Sequence, residues 1–407
     1  MRTFLLGIAG LAVSACAAPV VTESSVTMTQ DAASRLVTIN YELENEPAII
    51  TVDIQTNGVS IGGRNLWGMT GDVNKRVDVG AHSLTWHPDG TCKIPAHLLS
   101  GSMTAVVTAW ATNTPPLYLA TSLSVANSTF FYADKDSVPG GIESYAYKTD
   151  VLLMRKIPAA KVEWRMGSGL SDNQSASPAH LVTLQDDFYI GVYQVTQRQY
   201  ELIMGTNTAA FCRADCYRAR PVEQVTYEGL RGKAASGAKW PDDKHAVAAG
   251  SFFDSIRKWT GITHLDLPTE ARWEFACRAG CGYELYGELD KIARYSGNGG
   301  SISSGVQADT VGPEHGTAIV GSYLPNAYDL YDMMGNVWEI CLDWHATGDA
   351  LVKADPEKGP TSGSNRVWRG SSWTNADTLF TKVFRNQGAP SATGNYLGFR
   401  IACEVSF

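Results

Sequence analysis

Hydrophobic and polar residues alternate in short runs over roughly the first third of the chain, from about Val20 to Phe131. Examples are Leu36–Tyr41, Ile49–Ile54 and Ala105–Trp110, which are rich in Val, Ile, Thr and Ala. A period of two with many β-branched residues predicts β-strands, and turn signals such as Asn57-Gly58 separate them. We therefore predict about seven strands in an immunoglobulin- or fibronectin-like β-sandwich. Because the region carries no constellation of catalytic residues, we interpret it as a spacer or adhesion module.

The hydrophobic pattern changes after residue 135. A break at Pro139-Gly140-Gly141 predicts a connection into a second domain, where strand signals shorten and loops lengthen. Gln197–Met204 and Thr269–Ala279 have helical character, and Thr269 and Gly280 are the expected caps of the second helix. The predicted fold class is α+β and multidomain, with an all-β first domain. The predicted limits are 1–17 for a signal peptide, 18–135 for the sandwich, 136–160 for a linker and 161–407 for the second domain.

Composition and charge narrow the functional classes. Hydrophobic residues at 44% allow large cores, which excludes wholesale disorder. With 33 Lys and Arg against 41 Asp and Glu, the chain has no excess positive charge to neutralise a phosphate backbone, so we expect no nucleic-acid partner. The 39 Gly and 17 Pro, beside 11 Trp and 17 Tyr, predict a loop-rich protein in which aromatic side chains hold irregular backbone together.

The amino terminus has the features of an export signal. Arg2 supplies positive charge, Phe4–Val13 forms an apolar segment, and Ser14–Ala17 provides the small residues of a cleavage site. Two processing routes stay open, because Val13–Cys16 also resembles a bacterial lipobox in which Cys16 would carry a lipid anchor. No later segment approaches the run of about 18 apolar residues that a transmembrane helix needs. We expect an exported bacterial protein, periplasmic, secreted or tethered to the outer membrane, without a transmembrane span.

Seven of the eight cysteines follow this segment: Cys92, Cys212, Cys216, Cys277, Cys281, Cys341 and Cys403. Export would permit disulfides, but an odd number leaves at least one thiol unpaired if all bonds are internal, and spacing does not reveal the pairing. The two C-x3-C pairs lack the C-x2-C spacing and the neighbouring His that are typical of zinc sites. The cysteine pattern therefore argues against zinc.

Short motifs follow one another through the second domain: Trp164–Ser168, Phe188–Ile190, Gln194–Thr196 with Tyr200, Arg220–Val225, Leu267–Glu274, Pro325-Asn326, Leu330–Glu339, Arg366–Trp373 and Gly398–Arg400. In this order they resemble the sulfatase-modifying factor family, which has the formylglycine-generating enzyme fold, from Val162 to Val405. The resemblance implies an α/β arrangement of low regular secondary structure related to C-type lectin folds. It also implies loops that are held by buried aromatics and bound calcium.

The family resemblance assigns calcium ligands to the segment around Gly335. By similarity they are the side chains of Asp332 and Glu339 and the carbonyl oxygens of Gly335 and Val337. Such an oxygen set suits calcium, which takes six to eight hard ligands in proteins. Alternatively, Asp332 caps a turn and Glu339 pairs with an Arg in the core. A second family site would lie in the loop Tyr295–Asp309, where the alignment is too loose to name ligands.

The best-known relatives oxidise a substrate cysteine to formylglycine with copper. The resemblance implies two closely spaced active-site cysteines, but here the segment reads Gly370–Asn375, with Asn375 at the position of the first, and no cysteine occurs from Leu342 to Ala402. Because Cu(I) prefers thiolates, we expect neither copper nor formylglycine synthesis by that route. Another branch resembles ergothioneine-type sulfoxide synthases, but the H-x3-H-x-E run that would bind non-heme iron is missing here.

The segments that shape the substrate groove in relatives contain seven candidate pocket residues here: Arg369, Ser372, Trp373, Asn375, Arg385, Asn386 and Arg400. Arg side chains can pair with carboxylates or phosphates, and a Trp face can stack on a sugar or peptide. Alternatively, Arg385 and Arg400 are structural anchors against buried acidic residues. Ser372 has no Gly-x-Ser-x-Gly elbow or recognisable His partner, so we assign no catalytic residue.

Our leading hypothesis is an exported family member that has lost the copper cysteines and binds a peptide, protein or glycan ligand, with the sandwich as presenter. The alternative is an oxidoreductase that acts on sulfatases or another protein substrate through other residues. A third hypothesis is a structural component of the cell-surface matrix. The sequence does not identify the ligand or the oligomeric state.

Overall fold

The computed structural model describes residues 17–63, 66, 68–88, 103–167, 179–233, 246–282, 285–352 and 354–405. Residues 1–16 of the predicted signal segment, with Cys16, and also Cys92 lie outside these ranges. Contacts divide the chain into two compact units, Met1–Thr114 and Pro115–Phe407, which we call the amino-terminal and the carboxy-terminal unit. Among the described residues, no helix combines the length and apolar character that crossing a bilayer requires.

The amino-terminal unit consists of antiparallel β-strands around one hydrophobic core. Its described strands are β1 Val20–Val21, β2 Thr27–Gln30, β3 Val37–Glu44, β4 Ala48–Thr56, β5 Val59–Ser60, β6 Thr70–Gly71, β7 Arg76–Val77, β8 Gly80–Trp86 and β9 Met103–Ala111. One sheet has the order β1-β3-β8-β6 with β2 also on β3, and the other has β5-β4-β7 with β9 also on β4. Alternate residues of β3 are buried, as a period of two requires. The unit is β-rich as predicted, and its immunoglobulin-like topology stays a prediction.

The carboxy-terminal unit is also mostly β. Its described strands are β10 Tyr118–Ser122, β11 Thr129–Tyr132, β12 Val151–Ile157, β13 Val162–Met166, β14 His180–Leu184, β15 Phe188–Gly191, β16 Trp338–Trp344, β17 Arg366–Arg369, β18 Arg385–Gly388, β19 Leu397–Gly398 and β20 Ala402–Glu404. They form sheets of order β11-β10-β12-β15-β20 and β18-β17-β16-β19, and a β13-β14 pair.

The boundary between the units differs from the one expected from sequence. Strands β10, β11 and β12 join β15 and β20 in one sheet, so residues 115–160 belong to the carboxy-terminal unit. The sequence had placed the end of the sandwich and a linker there. Alternation of apolar residues predicts a strand but does not reveal which sheet it joins, and this explains the difference.

Six α-helices lie among the described residues of the carboxy-terminal unit: α1 Gln197–Met204, α2 Tyr227–Arg231, α3 Phe252–Thr260, α4 Glu270–Arg278, α5 Leu289–Ile292 and α6 Gly348–Val352. Both helices expected from sequence are confirmed. Thr196 starts α1 with a capping box to Gln199. The Thr269 side chain accepts from Arg272 N–H at the start of α4, and Ala279, with φ 44°, ends it one residue before the expected Gly280.

Helix α4 and the sheet β18-β17-β16 bring charged side chains together inside the unit. Glu339, Arg369 and Arg385 face one another directly across β16, β17 and β18. Glu270 and Glu274 lie four residues apart in α4, and this spacing puts both on one helix face. Side chains of these five residues are almost fully buried. The packing of α4 therefore supplies buried carboxylates to buried guanidinium groups.

Candidate functional site

A tight turn after β17 carries three of the predicted pocket residues, and we call Gly370–Asn375 the tryptophan loop. Asn375 Oδ1 accepts from the backbone N–H and the hydroxyl of Ser372, at 2.8 and 2.9 Å. Ser372 Oγ also lies 2.9 Å from Thr374 Oγ1. The amide oxygen of Asn375 thus closes the turn at the position where the resemblance implies a cysteine. Since the Ser372 hydroxyl donates to a neutral amide, this contact does not activate it as a nucleophile.

Trp373 anchors the tryptophan loop to its surroundings. Its ring is 6% exposed and meets Phe211 edge to face, with centroids 5.2 Å apart. The indole N–H donates to the carbonyl of Asn395 at 2.9 Å. Tyr396 packs on the same cluster, and its ring lies 6.5 Å from that of Trp368 in β17. A row of aromatic rings therefore leads from the loop to Trp368. We call the face of the sheet that carries Trp368 its outer side and the opposite face, which carries Arg369, its inner side.

Polar groups border this aromatic row. Asn386 lies opposite Trp368 in the β17-β18 pairing, so both side chains project to the same face of the sheet. Thr374 is exposed, and Asn375, Asn386 and Tyr396 are half-buried. We call Thr374, Asn375, Asn386 and Tyr396 the amide face. It combines one partly exposed aromatic ring with exposed and half-buried hydrogen-bonding groups.

The three predicted pocket arginines lie on the inner side, away from the amide face. Arg385 forms a two-bond fork with Glu270 at 2.5 and 2.7 Å, and Arg369 bonds Glu274 at 2.5 Å. Both guanidinium groups are almost fully buried. Burial alone would raise the pKa of Glu270, but the charges of Arg385 and Arg369 outweigh it and lower this pKa. These arginines act as anchors of the framework, which is the alternative left open by the sequence.

Arg400 completes this set of anchors. Its Nη2 lies 2.9 Å from Glu339 Oε1, and its Nη1 and Nη2 donate to the carbonyls of Gly191 and Tyr331. Trp273 Nε1 donates to the other Glu339 oxygen at 2.7 Å. Glu339 therefore pairs with an Arg in the core, as the alternative to calcium ligation had it.

The oxygen atoms around Gly335 converge on one side chain that the sequence had left without a role. Gln194 Nε2 lies 3.2 Å from the carbonyl oxygens of Asp332 and Gly335, 3.1 Å from that of Val337 and 3.0 Å from Glu339 Oε1. Gln194 is completely buried. Three of the four contacts use atoms that the resemblance assigns to calcium, while Asp332 contributes its carbonyl.

The side chain of Asp332 has a different partner. Its Oδ2 accepts from the backbone N–H of Gly321 at 2.7 Å, and burial raises its pKa to about 6. Gln194 Nε2 occupies the point at which an ion held by the four converging oxygens would lie. No group of three or more His, Cys, Asp or Glu side chains suited to a metal occurs among the described residues.

Arg294 bonds the loop suggested for a second calcium site, and Arg294 and Arg220 bond the segment that follows this loop. Arg294 donates to the carbonyls of Asn298 at 2.7 Å and Gly316 at 2.9 Å. Arg220 donates to the carbonyls of Val311 and His315 at 2.9 and 2.8 Å. Protein cations thus bond one carbonyl of this loop and three carbonyls of residues 311–316.

The described cysteines are free, and three of them are fully enclosed in the carboxy-terminal unit. Burial raises the pKa of Cys277 to about 12, and it also raises those of Cys341 and Cys403. Protonated thiols do not serve as thiolate ligands or nucleophiles at neutral pH. Cys212 is exposed, and Cys216 is half-buried.

The burial of these thiols predicts two classes of reactivity. In native protein, we expect a disulfide reagent such as DTNB to modify Cys212 rapidly. Cys277, Cys341 and Cys403 should react at least about 100-fold more slowly, because the reagent reaches them only when the core opens. The absorbance of the released thiolate measures this. Cys212→Ser should remove a fast phase, and guanidinium should expose all thiols. If the substitution Cys277→Ser removed a rapid phase from the reaction of the native protein, Cys277 would be accessible, and this would contradict the structure.

Sequence reasoning left Gln194, Glu270 and Glu274 without roles, although all three lie inside quoted motifs. The spacing of Glu270 and Glu274 is a signal that two carboxylates share one helix face. Their burial was not readable, because acidic residues at helix starts are usually solvated. Only the fold places Gln194 against Gly335, which lies far along the chain.

Comparisons with known proteins match the sequence of the carboxy-terminal unit to one family. The profile of the sulfatase-modifying factor enzyme 1-like domain matches residues 149–405. The chain is 30% identical over 259 residues to the formylglycine-generating enzyme of Mus musculus, covering 56% of this chain and 68% of that protein. It is 33% identical over 173 residues to the formylglycine-generating enzyme of Thermomonospora curvata, covering 39% and 56%.

Among solved structures, Treponema denticola variable protein 1 has 28% identity and a TM-score of 0.47, covering 62% of this chain and 95% of that one. PvdO from Pseudomonas aeruginosa has 24% identity and a TM-score of 0.44, covering 62% and 94%. The family match extends over more than half of the chain. On this basis the chain belongs to the sulfatase-modifying factor family.

Proposed function

We propose that this chain is an exported, ligand-binding member of the family, which binds a peptide, protein or glycan and does not make formylglycine with copper. The observation that carries the proposal is the closed tryptophan loop, where the Asn375 amide bonds Ser372 at the position expected for a cysteine. An amide oxygen is a poor ligand for Cu(I), which prefers sulfur. It also cannot form a mixed disulfide with a substrate.

The positions of the three buried thiols support this proposal. Cys277, Cys341 and Cys403 are enclosed, and burial raises their pKa values, so they are neither charged nor accessible to a substrate. The pocket arginines are likewise occupied by carboxylates. The charged groups on the inner side of the sheet thus bind one another and stabilise the fold, and they are not available to bind a substrate.

The amide face supplies the features of a recognition surface. Asn375 and Asn386 offer N–H donors, since their Oδ1 atoms already accept from Ser372 and from the Gln387 N–H, and Tyr396 offers a ring and a hydroxyl. Rings with neighbouring amides suit sugars and peptide backbones, which present both apolar C–H surfaces and hydrogen-bonding groups. Because the aromatic row beneath is packed, the face is largely formed before a ligand arrives, which lowers the entropy cost of binding.

The experiment has a chemical arm and a binding arm. The full chain is incubated with Cu(I) and a cysteine-containing sulfatase peptide, and mass spectrometry should show no conversion above a no-protein control. Glycan and peptide arrays should show saturable binding, and Tyr396→Ala should weaken the strongest binding by about 10-fold or more, as central aromatic contacts do. Lys258→Ala, an exposed change on α3, is the control and should leave binding unchanged.

The two arms separate the competing functions. Clear conversion of the peptide would overturn the binding proposal and support the oxidoreductase alternative, with Cys212 and Cys216 as the first residues to substitute. Absence of saturable binding in both arrays would also overturn it and favour a structural component of the cell-surface matrix.

A further inference from the structure

The contacts of Gln194 have an unusual geometry for a buried amide. One nitrogen lies within 3.2 Å of four oxygen atoms, three carbonyls and one carboxylate oxygen. An amide nitrogen has only two hydrogens, so the four acceptors share them. Gln194 Oε1 has no hydrogen-bond partner among the described residues. The surroundings have thus the oxygen-rich character of a cation site, but a neutral group of the protein occupies its centre.

Electrostatics fixes which end of the amide faces the oxygens. Turning the amide would place Gln194 Oε1 among four other oxygens, where partial negative charges repel. With the N–H groups inward, each oxygen meets positive partial charge. The charge of Glu339 is already balanced by Arg400 at 2.9 Å, and the charge of Lys148 offsets that of Asp332. The buried cluster therefore needs no additional positive ion while residue 194 is neutral.

We propose that the Gln194 amide takes the place of the calcium ion that the resemblance assigns to Asp332, Gly335, Val337 and Glu339, so that this chain folds without calcium at that position. We call Gln194 and the four oxygen atoms around its Nε2 the cage. The cage links the turn between β15 and α1, which carries Gln194, to the loop that precedes β16. The link is made by the polypeptide itself and not by a bound ion.

The residue type at position 194 then determines whether the protein's own amide or a calcium ion fills the cage. A carboxylate at this position would add a third negative charge beside Glu339 and Asp332, against the two positive charges of Arg400 and Lys148. Carboxylates and carbonyls converging on one point then form the hard oxygen set that calcium prefers. Gln194→Glu should therefore convert a self-filled cage into a calcium site.

The test measures the thermal unfolding of the full chain in about 1 mM CaCl2 and in EDTA, a concentration that reaches even weak calcium sites. Wild-type protein should show the same Tm in both. Gln194→Glu should be destabilised in EDTA and regain about 5 °C or more with calcium, since a ligand bound only by the folded state raises Tm. Equilibrium dialysis with radiolabelled CaCl2 should show no bound ion for wild type and one for the variant.

Gln197→Glu is the matched control. Gln197 is also completely buried, but its Nε2 donates only to the carbonyls of Phe211 and Pro221, at 2.9 and 3.4 Å. The Gln197→Glu variant should also be destabilised, because it buries a charge of the same kind, but calcium should not raise its Tm. Stoichiometric calcium binding or a calcium-dependent Tm in wild type would overturn the proposal, even if Gln194→Glu failed to fold. Equal stability of folded Gln194→Glu in calcium and EDTA would overturn it as well.

Discussion

Replacement of Arg385 by Met is expected to lower the free energy of unfolding by about 3 kcal/mol, the low end for breaking a buried ion pair, because Arg369 Nε still lies 3.5 Å from Glu270 Oε1. Arg385 holds both oxygens of Glu270 and also donates to the Ala346 carbonyl at 2.8 Å. Glu270 is 2% exposed, so water does not reach it readily when its partner is gone. Methionine fills much of the volume but provides no positive charge.

Urea unfolding of the full chain, followed by tryptophan fluorescence, measures this change. The double variant Arg385→Met with Glu270→Leu should recover a large part of the loss, because it removes the buried carboxylate together with the arginine that held both of its oxygens. Lys258→Met is the control, since Lys258 is largely exposed and pairs with Asp254 at the surface, where ion pairs contribute about 0–1 kcal/mol. A loss for Arg385→Met as small as that of the control would show that the fork does not maintain the buried carboxylate.

Substitution of Glu223 by Gln is expected to stabilise the protein at alkaline pH by about 3 kcal/mol and to change little at pH 4.5. Burial raises the pKa of Glu223 to about 7, from about 4.5 in an unfolded chain, although a hydrogen bond from the Phe211 N–H partly opposes the rise. The folded state therefore binds this proton more tightly. The resulting stability is complete below about pH 4.5 and is lost as the pH rises to about 7.

Glutamine keeps the acceptor for the Phe211 N–H, which donates to Glu223 Oε1 at 2.8 Å, but removes the titration. Unfolding free energies of both proteins should be compared between pH 5 and pH 8, so that the titration of all other groups cancels. We expect the advantage of Glu223→Gln to grow through this interval and to level off above about pH 7. An advantage that is the same at both ends would mean that Glu223 titrates normally.

The sequence predicted local structure well where one residue type determines it. Thr269 starts a helix because its side chain caps the free N–H of Arg272, and this works in any tertiary context. The joining of β12 to β15 depends on residues far apart in the chain, so the boundary near residue 115 was not predictable from alternation alone.

In the candidate site, too, local features were predictable from the sequence, and contacts between distant residues were not. The absence of cysteine around Asn375 was visible in the sequence, whereas the choice between ligand contact and anchoring for Arg385 and Arg400 required knowledge of Glu270 and Glu339. The predicted calcium stays a prediction that the Gln194 experiment decides. Its ligand atoms were named by resemblance, but no local pattern indicated that a distant amide would reach them.

The enclosure of Cys277, Cys341 and Cys403 separates the chemistry of the nascent chain from that of the finished protein. Before the core forms, all three sulfur atoms are open to oxidants and can be trapped in wrong crosslinks. Afterwards the surrounding side chains shield them. We therefore expect redox conditions during folding to affect the yield of correctly folded chain, and to have little effect on these three positions once the protein has folded.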